Sequence, residues 1–132
     1  MKGLRQILLI VAIACAAVTA TSTDVTPPDI DIVFVEQVHD FGDVSYDCRQ
    51  INHKFQFINT GHHDVSIIGS LASCGCTTVK YPRHVIHPFE KGYVEVTYSP
   101  SGRPKGDFSR TIRLETTGKR QFVAIKIKGH IF

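Results

Sequence analysis

The chain has 132 residues, of which 42% are hydrophobic and 20% are charged, with four cysteines and a formal net charge of +3. This length indicates one domain, large enough to bury a core without disulfide staples. The small net charge, and the fact that aromatic residues do not interleave with the basic residues near the C-terminus as stacking platforms would, argue against a nucleic-acid partner.

The first twenty residues have the pattern of a signal peptide. Two basic residues precede an apolar run that starts at Ile7, and residues 18–20 (Val-Thr-Ala) offer a small-residue cleavage site. The apolar run is shorter than the roughly 20 residues that a membrane-spanning helix needs. We therefore predict export to the periplasm or the medium, with no transmembrane span in the mature chain. The alternative is a lipid anchor on Cys15, because residues 12–15 (Ala-Ile-Ala-Cys) resemble a lipobox.

Residues 21–29 are polar, include two prolines and are predicted to form a linker. After them, short segments rich in β-branched and aromatic residues alternate with turn residues. The segments predicted as strands are Ile30–Glu36, His39–Gly42, Ile51–Ile58, Val65–Leu71, Thr77–Tyr81, Tyr93–Ser99, Ser109–Glu115 and Gln121–Ile131. We predict that residues 30–132 form a single all-β domain, an immunoglobulin-like antiparallel β-sandwich of about seven strands.

Alternation along these segments predicts which side chains are buried. Phe55 and Phe57 share one face of a strand, while Lys54 and Gln56 share the other. The same reasoning predicts that most of the core comes from Phe55, Phe57, Ile67, Val94, Val96, Ile112, Leu114, Val123, Ile125 and Ile127.

Charge is unevenly distributed along the chain. Residues 24–47 contain seven acidic residues and no Lys or Arg, whereas residues 103–128 contain eight basic residues and two acidic ones. Opposite charges favour adjacent strands, although exposed pairs contribute less than about 1 kcal/mol. We predict that the first and last strands are neighbours. Asp31 and Glu36 would then lie near Lys126 and Lys128.

Five ordered motifs resemble the bacterial family called domain of unknown function 1573. They are HDFGDV (39–44), HKFQFINTG (53–61), SLASCGCT (70–77), the pattern P-x-E-x-G-x-x-x-V-x-Y (88–98) and IKGHIF (127–132). The resemblance covers residues 34–132. It implies an immunoglobulin-like sandwich similar to major sperm protein and the ASPM–SPD-2–Hydin domains, in an exported protein, and it implies no reaction. The chain departs from the family at three places. Glycine is usual at Phe89 and common at Cys48, and residues 62–63 (His-His) stand where the family tends to have Lys and Glu.

Cys74 and Cys76 are separated only by Gly75, in a predicted loop. Two thiolates at this spacing could bind a soft metal such as Cu(I), or act as a redox pair. The structural alternative is that they form disulfides or are buried as small apolar side chains. A bond between the two would close a small ring, for which the conformational freedom of Gly75 would be needed.

Cys48 is the predicted companion of this loop. If Ile51–Ile58 and Val65–Leu71 form a hairpin, Cys48 falls opposite the loop and can bond with Cys74 or Cys76, since a disulfide needs Cα atoms within about 7 Å. If the connection instead crosses between sheets, the cysteines still share a pole, and the distance between them decides whether they bond. The alternative keeps Cys48 on an exposed turn and leaves Cys74 and Cys76 bonded to each other or buried. All three are therefore candidate disulfide residues and candidate metal ligands, and no other cofactor is predicted.

The seven histidines form no metal motif in the sequence. Residues 62–63 lie at a predicted turn, His84 and His87 lie in a proline-flanked loop, and His39 is expected to make a strand-edge hydrogen bond. Nucleophile-elbow, phosphate-loop and dinucleotide motifs are absent from the sequence, so we predict no enzyme activity.

These observations favour a non-catalytic binding or structural module of the cell envelope. An immunoglobulin-like sandwich can add a strand of a protein or envelope partner to an exposed edge, as pilus chaperones of similar architecture do. The alternative is a thiol-based protein that binds Cu(I) or exchanges disulfides through Cys74 and Cys76.

Overall fold

The computed structural model describes residues 31–132, which form eight strands and no helix. The strands are β1 (Ile32–Phe34), β2 (Val38–Val44), β3 (Ile51–Asn59), β4 (Ile67–Ala72), β5 (Thr77–Lys80), β6 (Lys91–Tyr98), β7 (Gly106–Thr116) and β8 (Phe122–Ile131). The predicted all-β sandwich is confirmed. The predicted signal peptide (1–20), the lipidation site at Cys15 and the linker (21–29) lie outside the described residues. Within the described segment, no helix is suited to crossing a membrane.

The two sheets have the strand orders β1-β3-β6-β5 and β2-β8-β7-β4. All neighbouring strands of these sheets are antiparallel except β2 and β8, which run parallel with Val38 opposite Lys126. The sandwich is therefore not purely antiparallel. Residues 35–37 connect β1 in one sheet to β2 in the other, and the chain keeps its direction across this link. As a result β2 runs parallel to β8.

The predicted pairing of the first strand with the last is wrong. β1 pairs with β3, and β8 pairs with β2 and β7. The acidic neighbour of the basic strand is β2, where Asp40 Oδ2 lies 3.8 Å from Lys128 Nζ. Asp31 is buried and accepts a 2.6 Å hydrogen bond from the backbone N–H of Lys119, and Glu36 contacts two histidines described below. The charge argument failed because the acidic residues are divided between strands of different sheets.

The sandwich core confirms the alternation seen in the sequence. All ten predicted core residues are buried. Tyr98 of β6 and Phe108 of β7 stack with ring centroids 4.4 Å apart, and this contact joins the two sheets. Further buried apolar residues outside the predicted set include Ile32, Phe34, Val65, Ile86, Tyr98, Phe108 and Ile131.

One buried amide organises the end of the sandwich beyond β3. Asn59 is 0% exposed, and its side-chain N–H groups donate to the carbonyls of His63 (2.9 Å) and Ile86 (3.1 Å). Its side-chain oxygen accepts a 2.9 Å bond from the backbone N–H of Gly61. Burial of an amide is tolerated here because its polar atoms are paired.

Candidate binding edge, cysteine pole and histidine cluster

The four edge strands differ in length and charge. β1 has three residues, and β5 has four and ends at the charged Lys80. β2 carries Asp40 and Asp43 with a bulge between them, and Gly42 in this bulge has φ 67°. Charges and bulges are the devices by which proteins prevent edge pairing. β4 has six residues and carries no charge, so it is the edge with the fewest obstacles to an added strand.

β4 directs backbone groups away from the sheet. The backbone N–H of Ser73 donates to the carbonyl of Thr111 on β7 at 3.1 Å. Because hydrogen-bonded and outward peptide groups alternate along an antiparallel edge strand, Ser70 and Ala72 point their N–H and C=O groups away from β7. Between them, Leu71 is 70% exposed.

A groove of about 220 Å³ lies on the outer face of the sheet beside this edge. The Arg113 guanidinium carbon lies 3.8 Å from the centre of the Phe122 ring, and this ring is itself partly exposed. The groove thus offers an apolar wall with charged groups beside it. Its lining residues are Gly69, Ser70, Leu71, Arg113, Glu115 and Phe122.

In the cysteine loop, Cys74 and Cys76 are bonded to each other, and Cys48 has a free thiol. Cys76 is buried, whereas Cys74 and Cys48 are half-buried. Gly75 does not have a positive φ, and a Cβ at this position would meet no atom within 4 Å. The expectation that the conformational freedom of glycine is needed here is therefore wrong.

The three cysteines lie at one pole, as the crossing alternative predicted. β3 and β4 belong to different sheets, so the hairpin is wrong. Ile51, Tyr98 and Thr77 form one row across β3, β6 and β5. Cys48 lies three residues before this row and Cys76 directly before it. Two strand spacings amount to about 10 Å, more than the about 7 Å between Cα atoms that a disulfide allows. The intervening β6 accounts for the free thiol of Cys48.

The histidines of the proline-flanked loop bind separate carboxylates. His84 Nε2 lies 3.1 Å from Glu90 Oε1, and His87 Nδ1 lies 2.9 Å from Asp64 Oδ1. The hydrogen bond to Asp64, helped by its negative charge, raises the pKa of His87. The backbone N–H of His87 donates to Glu90 at 2.7 Å and lowers the pKa of that carboxyl group. These hydrogen bonds connect the loop to Asp64 and Glu90, and residues 62–63 are exposed.

A cluster that sequence reasoning missed lies between β2 and β3. Glu36 Oε1 is 3.2 Å from His39 Nδ1, and Glu36 Oε2 is 3.1 Å from His53 Nε2. The two imidazole rings stack with centroids 3.5 Å apart and an interplanar angle of 6°. Each imidazole therefore contacts a different oxygen of the same carboxylate.

The sequence contained part of the signal for this cluster. His53 alternates in phase with Phe55, which places it on the inner face of β3, and His39 precedes Phe41 with the same spacing on β2. Bringing the two histidines together also requires the change of sheets between β1 and β2. No residue pattern in the local sequence identified that change.

Comparison with known proteins supports the fold. None of the curated proteins compared with this chain matches it in sequence. Its structure is similar to that of a protein of unknown function from Porphyromonas gingivalis W83, with 13% identity and a TM-score of 0.63. The similarity covers 75% of this chain and 46% of that protein, so this chain spans about half of its length.

Two further solved structures are similar to this one. The human CEP192 PapD-like domain 7 has 14% identity and a TM-score of 0.61, covering 80% of this chain and 88% of that domain. The CupB2 chaperone of Pseudomonas aeruginosa has 10% identity and a TM-score of 0.55, covering 75% of this chain and 55% of that protein. At these identities the likeness is one of fold. The sequence profile of the family described as protein of unknown function (DUF1573) matches residues 32–131. The chain therefore belongs to the DUF1573 family.

Proposed function

We propose that this protein is a non-catalytic binding module of the cell envelope that adds an extended segment of a partner protein to the edge of β4. The observation that carries this proposal is the uncharged β4 edge, on which Leu71 is 70% exposed. The outward backbone groups of Ser70 and Ala72 would supply main-chain hydrogen bonds to the added strand, and side-chain pockets would supply specificity.

A structural comparison and the apolar surface beside β4 also support this function. The similar P. aeruginosa protein is a chaperone, and a shared fold makes protein binding a natural role for this chain. Every second side chain of an added strand would point toward the outer face, beside Leu71 and the ring of Phe122. An apolar side chain is favoured there because it would remove further apolar surface from water. Placement in the envelope rests on the predicted signal peptide.

Peptide selection with matched edge variants tests this proposal. Short random peptides would be selected on the wild-type protein, and their affinities measured for two proline variants. Ser70→Pro removes an outward N–H of β4 and leaves the bonds to β7 intact, so it should abolish binding. Val38→Pro is the control: the Lys126 N–H donates to the carbonyl of Gln37, so the peptide groups of Val38 point away from β8. Val38→Pro should retain binding.

Other results would redirect or contradict the proposal. Equal affinity of the selected peptides for wild type and Ser70→Pro contradicts it. A concentration-dependent dimer that Ser70→Pro abolishes would show that a second copy of the chain occupies the edge in place of a partner peptide.

A second candidate function is thiol–disulfide exchange or Cu(I) binding at Cys74 and Cys76. The β4–β7 register ends with Ala72 opposite Ile112, the backbone N–H of Ser73 still donates to the carbonyl of Thr111, and Cys74 and Arg110 are the next residues of the two segments. The Nε of Arg110 is buried without a hydrogen-bond partner in the described part of the chain. A guanidinium near a thiol stabilises the thiolate, which is both the nucleophile and the metal ligand.

A thiol titration of the reduced protein tests this second candidate. Cys74 should react as a thiolate at lower pH in the wild type than in Arg110→Gln. Arg113→Gln, on the outer face of the same strand, should leave the titration unchanged. Unreactive thiols, or equal titrations in all three proteins, would contradict a redox or Cu(I) role.

A further inference from the structure

The ligand atoms of Glu36, His39 and His53 lie close enough together for one metal ion to reach all three residues. One ligand atom from each residue lies within 4.8 Å of the other two. The two contacts between nitrogen and carboxylate oxygen are 3.2 Å and 3.1 Å. Ligands of tetrahedral zinc, with bonds of about 2.0–2.1 Å, lie about 3.3 Å from one another. The two rings are stacked face to face, so at least one imidazole would rotate about its side-chain torsions to direct both nitrogens at one ion.

We propose that Glu36, His39 and His53 bind a divalent transition-metal ion of the Zn²⁺, Ni²⁺ and Cu²⁺ class. Two imidazole nitrogens and one carboxylate suit these ions, whereas Ca²⁺ and Mg²⁺ take oxygen ligands and Cu(I) takes thiolates. The Glu36 side chain is 44% exposed, so water or a partner side chain can reach a further coordination position.

The imidazole rings are held in place by aromatic packing. The Phe41 ring meets that of His39 edge-on at 4.7 Å between centroids, and the Phe55 ring meets that of His53 at 4.8 Å. The side chains of both histidines are 25% exposed. This packing orders both rings in the free protein, and binding of an ion would separate the stacked rings.

The three ligands come from different parts of the fold. Glu36 lies in the link between β1 and β2, His39 lies on β2 of one sheet and His53 lies on β3 of the other. A bound ion would cross-link the two sheets at the side where the chain changes sheets. It would replace the two contacts between the imidazole nitrogens and the Glu36 carboxylate. This proposal is independent of peptide binding at β4.

Zinc titration of the chelator-treated full chain, followed by calorimetry and by imidazole nitrogen resonances, tests the site. The wild type should bind one Zn²⁺ saturably and unfold at a higher temperature with zinc. Zinc should shift the resonances of His39 Nδ1 and His53 Nε2, and Ca²⁺ should have no effect. Even outer partners of metal ligands contribute about 10–100-fold to affinity, so His39→Gln and His53→Gln should each lose at least about tenfold.

Two control variants separate this site from other zinc ligands. His84→Gln removes a histidine that makes a similar 3.1 Å contact with a carboxylate, and it should bind zinc like the wild type. Cys48→Ser removes the free thiol and should also bind like the wild type. The proposal is overturned if the wild type shows no saturable site. It is equally overturned if both ligand variants keep full affinity, or if zinc shifts other histidines in place of His39 and His53.

Discussion

β2 and β4 are the two edge strands of the same sheet, and they differ in how readily each could pair with a strand of another chain. β2 carries two aspartates and a bulge, and the chain before it packs against β3 through the histidine cluster. β4 is uncharged and exposes Leu71 and Ile68 beside a groove. An exposed edge strand readily pairs with another chain, and natural proteins usually prevent this. β2 therefore has devices that prevent edge pairing, and the six residues of β4 carry no charge of this kind.

The largest expected effect concerns the core that both edges share. Phe57 is 1% exposed and packs against Phe34 at 5.6 Å between ring centroids. Phe57→Ala should lower the free energy of unfolding by about 3–5 kcal/mol, measured by chemical denaturation. Val35→Ala, at a side chain that is 80% exposed, is the matched control and should have little effect. An unchanged stability of Phe57→Ala would show that the core has been assigned wrongly.

A pair of glycine substitutions compares the two edges directly. Gly42 in the β2 bulge has φ 67°, and a Cβ there would meet nothing within 4 Å, so Gly42→Ala changes conformational energy alone. It should destabilise the protein by about 1–2 kcal/mol. In β4, a Cβ on Gly69 would make an ordinary 3.4 Å contact with Glu115, and Gly69→Ala should stay within about 0.5 kcal/mol. If both variants lost the same stability in thermal unfolding, the positive φ of Gly42 would carry no special cost for a residue with a Cβ.

Phe89 also has a left-handed φ, so replacing it with glycine should raise the stability of the protein. This residue has φ 63° and its side chain is 67% exposed, at the position where the sequence resemblance led us to expect glycine. Phe89→Gly relieves left-handed strain but gives the unfolded chain more freedom, so we expect a net gain of about 0.5–1 kcal/mol. Phe89→Ala, which keeps the strain, should show no such gain. A loss of stability in Phe89→Gly would show that the exposed ring makes a stabilising contact.

The smallest effect is expected at an exposed loop ion pair away from either edge. The pKa of His87 is raised by Asp64, so this pair stabilises the fold below the ordinary histidine pKa of about 6.5, and that contribution is lost as the pH rises through the folded-state pKa. In Asp64→Asn, an NMR titration should show the pKa of His87 moving down toward its ordinary value. The control is the structural contact of His130 with Asp107, and the His130 ring resonances at a fixed pH should be the same in both proteins. An unchanged His87 titration would contradict the assigned cause.

Local pattern was sufficient for some features of this fold and insufficient for others. The alternation that places Phe55 and Phe57 inside is a property of one strand, and the sequence predicts it directly. The strand beside β8 is determined by the change of sheets at residues 35–37. These residues (Val-Glu-Gln) include no typical turn residue, so the sequence does not indicate the change. The predicted pairing of Asp31 with Lys126 failed for this reason.

The candidate sites show the same division. The Cys74–Gly75–Cys76 loop was visible as a motif, yet its separation from Cys48 depends on β6 lying between β3 and β5. The contact between His39 and His53 depends on two sheets meeting, so neither histidine was distinctive in its own segment. That β4 lies at a sheet edge within residues 31–132 likewise follows only from the complete strand order.

Amide hydrogen exchange at the two edges tests the central claim most directly. In the free protein, the amides of Ser70 and Ala72 should exchange rapidly and that of Leu71 slowly, because the Leu71 N–H faces β7. With a selected peptide bound, the amides of Ser70 and Ala72 should become protected, while that of Val38 on the β2 edge should not change. Protection of Val38 with Ser70 and Ala72 still exchanging rapidly would contradict the assignment of β4 as the binding edge.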